Sequence, residues 1–200
     1  ESWAADQMGW WSPLRRGVLT LDALRITRSL RKSAKRVVTT LDTCFDEVLT
    51  RCADPARPGA WISDEVAHAY RVLHRAGHAH SVEVWRDDKL VGGLYGVSIG
   101  GLFAGESMFH DPERGRDASK VALWRLVAEL GRDAAGRVMS SHDRLTRRLV
   151  DVQWLTPHLA SLGVVEWPRE HYLERLDGLI GQEQPLWTPG PVVLAGPEGA

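Results

Sequence analysis

The stretch from Ala79 to Phe109 constrains this chain most, because apolar and β-favouring residues recur there in three runs parted by two short turns. Val82 and Val84 alternate with polar neighbours ahead of Asp87-Asp88-Lys89. Leu90 to Ile99 follows, and Gly100-Gly101 separates it from Leu102 to Phe109. Period-two alternation interrupted by Asp and Gly pairs is the signal of strands joined by tight hairpins. The pattern predicts a three-stranded antiparallel meander, which must bury a face against helices.

Flanking segments supply those helices. Thr43 to Ala53 sets Phe45, Val48, Leu49 and Cys52 on one side. Ser63 precedes Val66, Tyr70 and Leu73 at i, i+4, i+7, and the pattern stops near Gly77, a natural terminator. Ala118 to Leu130 is the clearest amphipathic run, through Val121, Leu123, Leu126, Val127 and Leu130. Shorter signals predict strands at Val18 to Ile26, Val37 to Leu41, Leu149 to Trp154 and Val164 to Trp167. They predict helices at Thr27 to Arg36, from Thr156-Pro157 to Gly163, and at Glu170 to Leu176. Gly131 to Arg144 is patternless and reads as a loop or insertion, and the tail from Pro185 reads as extended. The sum is an α+β fold, a mostly antiparallel sheet flanked by helices.

Composition bounds the function classes. Of 200 residues, 44% are hydrophobic and 26% charged, which excludes disorder as the main state. No apolar run nears the roughly 20 residues of a membrane span, and no secretory signal is expected. Cys44 and Cys52 lie about 12 Å apart on one predicted helix, too far for a disulfide, so they read as reduced residues of a cytosolic protein. The net charge of −1 offers no global field for nucleic acid. The one dense basic run is Arg25, Arg28, Arg31, Lys32, Lys35 and Arg36, either a solvated face or a phosphate-backbone contact. His68, His74, His78 and His80 are close in sequence. Gly77 interrupts the helix at the only helical pair, so no metal site is expected.

Two acidic positions stand out. Asp151 and Gln153 share one strand face by alternation. They are either solvated polar residues or a pair in which the carboxylate orients the amide, and an amide can polarise a nucleophile but cannot keep its proton. Glu106 interrupts an apolar strand just after Gly105; it either faces solvent or meets a cation such as a substrate ammonium. These residues by themselves reach a soluble domain with an RNA-binding option, not a reaction.

Longer motifs carry the reading further. Trp10-Trp11-Ser12-Pro13, Ile26-Thr27-Arg28-Ser29-Leu30, Trp61-Ile62, Ala69 to His74, Gly77 to Trp85, Leu90 to Gly96, Phe103 to Phe109, Ala118-Ser119-Lys120, Asp151-Val152-Gln153 and His158 to Gly163 occur in one order. Together they resemble the leucyl/phenylalanyl-tRNA–protein transferase family. The resemblance implies an acetyltransferase-like catalytic domain at residues 37–184, after a remnant of a small N-terminal domain at 1–36 and before a flexible tail at 185–200. It implies a cytoplasmic, monomeric enzyme without cofactor or metal. Its partners would be aminoacyl-tRNA carrying Leu or Phe, and acceptor proteins with N-terminal Arg or Lys.

It also implies Asp151 and Gln153 as the catalytic pair, with Asp151 holding Gln153 and drawing the proton, and Glu106 near the substrate amine. Trp11, Trp85, Leu94, Phe103, Gly105, Met108, Leu123, Leu126 and Val150 would line the substrate pocket, and Arg25, Arg28, Lys32, Lys35 and Arg36 would face tRNA. Only nine residues precede Trp10, so much of the family's front portion is expected to be missing, and an insertion is expected around Ala134 to Leu145. An acyl-CoA-dependent enzyme of the same fold, or a tRNA-binding relic, are the alternatives; no convincing glycine-rich pyrophosphate loop supports the first.

Overall fold

The computed structural model describes residues 12–57 and 59–194. The predicted meander is β3 (Ala79–Arg86), β4 (Lys89–Ile99) and β5 (Leu102–His110). Asp87 and Asp88 both have positive φ, as a two-residue hairpin turn requires. Four more strands complete a seven-stranded sheet: β1 (Arg15–Leu19), β2 (Val38–Leu41), β6 (Leu149–Gln153) and β7 (Val165–Pro168). Their order is β2-β3-β4-β5-β6-β1-β7. All neighbours are antiparallel except β5 and β6.

Helices cover both faces. α1 (Arg28–Ala34) and α4 (Ala118–Leu130) bury Leu30, Ala34, Leu123 and Leu126 in the largest core, with Leu41, Val82, Leu94, Phe103 and Val150 of the sheet. On the opposite face, α2 (Phe45–Cys52) and α3 (Asp64–Arg75) pack on Ala79, Leu90, Tyr95 and Phe109. α7 (Arg169–Ile180) packs there on Val18, Leu102 and Leu149. Local chemistry starts these helices as expected: Ser63 caps α3, and Thr156 caps α6 (Pro157–Ser161) with Pro157 in its first turn.

Several expectations are corrected. The strand predicted from Val18 to Ile26 is β1, which begins at Arg15 and ends at Leu19, where a 3-10 turn at Leu21–Ala23 sends Leu21 into the core. The patternless 131–144 stretch is ordered by polar groups instead of apolar ones. The Asp133 carboxylate accepts from the Ala135 and Arg137 amides, and Ser140 caps α5 (Ser141–Arg147). α4 is not simply amphipathic, because its polar side is also covered. Arg125 and Glu129 pair at 2.7 Å, and Arg125 also donates to Thr39 and to the Thr188 carbonyl of the C-terminal segment.

The segment read as an N-terminal remnant contributes β1 to the interior of the sheet and α1 to its helical layer. Residues 185–194 form no helix, and Val192 exchanges backbone hydrogen bonds with Thr39 on the edge strand β2. No helix among the described residues is long and apolar enough to cross a membrane.

Candidate active site at the fork of the sheet

β5 and β6 pair only from Leu102 to Ala104 against Leu149 to Asp151. β5 then runs on to His110, while β6 stops two residues later, so the strands part and leave a fork. What ends β6 is a turn centred on Gln153. Its φ is 59°, and the Trp154 amide donates to the Val152 carbonyl at 2.6 Å. That i to i+2 bond around a positive φ is a γ-turn, a strained conformation for a residue with a side chain. β1 approaches it closely at Gly17, where a Cβ would lie 2.8 Å from the Trp154 carbonyl carbon.

Asp151 lies just beneath this turn, 1% exposed. Arg16 of β1 donates through Nε to both carboxylate oxygens at 3.0 and 2.9 Å, and through Nη2 at 2.7 Å. The Tyr172 hydroxyl of α7 donates at 2.8 Å, and the Gln153 backbone amide donates at 2.8 Å. Burial and the adjacent carboxylate push the Tyr172 hydroxyl well above its ordinary range, so it stays a donor. The Asp151 carboxylate thus holds Gln153 by its main chain, at a residue in the left-handed region.

Glu106 faces the fork from β5. The β4–β5 register opposes Tyr95 to Ser107 and Gly96 to Gly105, so Glu106 is the extra residue of a β-bulge. A bulge re-aims the side chain it carries. Here it sets Glu106 beside Tyr70 of α3 and within charge range of Asp151 and Arg16. Burial raises the Glu106 carboxyl above its ordinary range; the Tyr70 hydroxyl opposes this, the Asp151 charge adds to it, and Arg16 opposes it. Tyr70 in turn packs edge-on against Trp61, ring centroids 6.4 Å apart, and against the fully buried Tyr95 at 5.0 Å.

The structure distributes the other predicted residues unevenly. Gly105 stands at the start of the open part of β5, and Met108 is half-buried against the main core. Leu94, Phe103, Leu123, Leu126 and Val150 are core residues, none more than 3% exposed. Trp85 is on β3, two strands from β5. Its indole donates to Thr40 at 2.8 Å, and it lines a shallow cavity of about 400 Å³ with Val38, Asp87 and Asp88. Trp11 lies outside the described residues.

Arg25, Arg28, Lys32, Lys35 and Arg36 are exposed on and around α1. Among the described residues none of the five pairs with a carboxylate. No three His, Cys, Asp or Glu residues gather closely enough to hold a metal ion among the described residues. His74 is used structurally, stacked on Phe45 and bonded to the Ala79 carbonyl at 2.8 Å.

Sequence reasoning missed Arg16, Tyr70, Trp61, Tyr95 and Tyr172. A buried Asp151 demanded a cation, but no spacing rule links residue 151 to a partner 135 positions earlier.

A mostly antiparallel sheet forked beside a buried carboxylate and a strained amide residue, with a second carboxylate across the gap, is a framework able to orient two reacting groups, and the comparisons with known proteins make it that of a transferase. The chain belongs to the leucyl/phenylalanyl-tRNA–protein transferase family. Residues 18–177 match the family model described as leucyl/phenylalanyl-tRNA protein transferase. The chain is 46% identical over 185 residues to the transferase of that name from Rhizorhabdus wittichii, covering 90% of this chain and 68% of that protein. It is 43% identical over 195 residues to the one from Salmonella paratyphi A, covering 94% and 76%. With the Citrobacter koseri protein it shares 44% over 188 residues, covering 92% and 74%.

Proposed function

We propose that this protein transfers leucine or phenylalanine, and methionine less well, from aminoacyl-tRNA to the α-amino group of proteins with N-terminal Arg or Lys. The acceptor amine attacks the ester carbonyl carbon, a C–N bond forms, and the C–O bond to the terminal ribose breaks. The proton lost by nitrogen ends on the departing ribose oxygen. The donor ester is already activated, so no ATP is needed. An α-amine with a pKa of about 8 is partly neutral at cytosolic pH, so orientation matters more than a strong base.

The observation that carries this reading is the Gln153 turn at the fork, opposite Glu106. The Gln153 carboxamide oxygen accepts a hydrogen bond from the attacking amine and aims its lone pair. Glu106, costly to ionise where it stands, is relieved by the donor's α-ammonium. The donor side chain lies against Met108 at the margin of the apolar core, in front of Leu94, Phe103 and Val150. The basic face of α1 meets the tRNA backbone. In this reading the enzyme acts as a cytoplasmic monomer and marks its acceptors for degradation.

The test is transfer of labelled leucine from charged tRNA to a protein with N-terminal Arg. Wild type should transfer, and Gln153→Ala should lose about 100-fold in kcat, the scale of one positioned catalytic group. Acyl transfer from an acyl-CoA, with none from tRNA, would favour the rival reading.

A further inference from the structure

Asp151 is more completely occupied than a proton acceptor can be. A carboxylate offers about four lone-pair directions, and here Arg16 Nε, Arg16 Nη2, the Tyr172 hydroxyl and the Gln153 amide make five contacts to its two oxygens at 3.0 Å or less. Taking up a proton would mean breaking one of these bonds on a buried carboxylate, next to a guanidinium left without its partner. What the carboxylate does instead is fix main chain. Its oxygen holds the amide of the one residue in β6 with positive φ, and that residue is the centre of the γ-turn that ends the strand.

The anchor draws on β1 and α7 as well as on β6 itself. Arg16 comes from β1, whose register against β6 shifts between Gly17 and Val18, beside the turn. Tyr172 comes from α7, and its ring also lies under the guanidinium, 5.0 Å from centroid to the Arg16 carbon. Arg16 is the only cation bonded to Asp151 among the described residues, and it also lies within charge range of Glu106.

We infer that Arg16 and Tyr172 are positioning residues of the transfer reaction, acting through Asp151 to hold the Gln153 turn, and that Asp151 is an anchor and not the proton acceptor. This rests on the proposed role of Gln153. Arg16 and Tyr172 touch no reacting atom in this scheme. Their contribution is the angle at which the Gln153 amide meets the amine, and a small misplacement of such a group costs a large factor in rate.

A double-mutant cycle with an independent structural readout tests it. Arg16→Ala should lower kcat about 100-fold with the KM for aminoacyl-tRNA nearly unchanged, and Tyr172→Phe should lower it about tenfold or less. In a Gln153→Ala background, both losses should shrink to about twofold, because the group they aim is gone. Free guanidinium should restore part of the Arg16→Ala rate. Amide hydrogen exchange at Gln153 should be slow in the wild type and fast in Arg16→Ala, and this readout does not depend on turnover.

If Arg16→Ala does not fold, Arg16→Lys replaces it, with a smaller loss because an ammonium cannot bridge both oxygens. Equal losses in both backgrounds, or an unchanged Gln153 amide in the Arg16 variant, would overturn the inference while leaving Gln153's role intact. Full transfer by Gln153→Ala alone would overturn that role, and the inference with it.

Discussion

At the residue scale, Gln153 and Glu106 are both kept in states that a free chain would avoid. A side chain in the left-handed region costs about 1 kcal/mol that glycine does not incur. Gln153→Gly should therefore raise stability by up to about 1 kcal/mol while transfer falls about 100-fold. Chemical denaturation and the transfer assay on one preparation would separate the two effects. Glu106 has a folded-state pKa raised above its ordinary 4.5, first by burial. A carboxyl raised in this way stabilises the fold below its ordinary pKa, and the contribution is lost as pH climbs through the raised value. Wild type should thus lose Tm relative to Glu106→Gln as pH is raised from about 4 toward neutrality. Parallel Tm curves for the two proteins across that range would contradict the assignment.

At the element scale, α1 combines a buried side, Leu30 and Ala34, with an unpaired basic side. Arg28, Lys32 and Lys35 step by four and three, so they share a face. If each meets a backbone phosphate, the triple Ala variant should weaken tRNA binding. It should also flatten the dependence of log affinity on log salt by about 2 to 3, with kcat at saturation little changed. Filter binding over a salt series measures this, and an unaltered slope would remove α1 from the interface.

Elements of this kind were legible beforehand. The period of two gave β3 to β5, and the caps at Ser63 and Thr156-Pro157 gave two helix starts. The site was legible only as residue types. The bulge at Glu106 depends on how β5 aligns with β4, and the positive φ at Gln153 has no sequence signature. Arg16 and Tyr172 reach Asp151 across 135 and 21 positions through tertiary packing that no local pattern encodes. The Trp85 indole bond to Thr40 of the neighbouring strand was hidden for the same reason.

At the scale of the whole molecule, the fork lies between β5 and β6, while the sheet's far edge at β2 is closed by the C-terminal stretch. That stretch is fastened at several points. Gln184 accepts from Ser98 at 2.8 Å, Trp187 stacks on His80 with centroids 4.1 Å apart, Thr188 accepts from Arg125 at 3.3 Å, and Val192 pairs with Thr39. Together they keep the Arg125–Glu129 pair out of water and cover an edge strand that would otherwise offer free backbone groups. Trp187 is the apolar centre of the clasp, since it also packs on the main core beside Phe103. Replacing it with alanine should cost about 2 to 3 kcal/mol, less than a fully buried tryptophan because Trp187 is only half-buried. In a domain of this size that is a fall in Tm of about 5 to 10 °C. Well below that Tm, transfer should change by less than about twofold, because the clasp shares no partner with Arg16, Asp151 or Gln153. Calorimetry beside the transfer assay decides it. A rate loss without a loss in Tm would mean that the closed edge and the fork are coupled through Phe103, and that the clasp belongs to the site as well as to the fold.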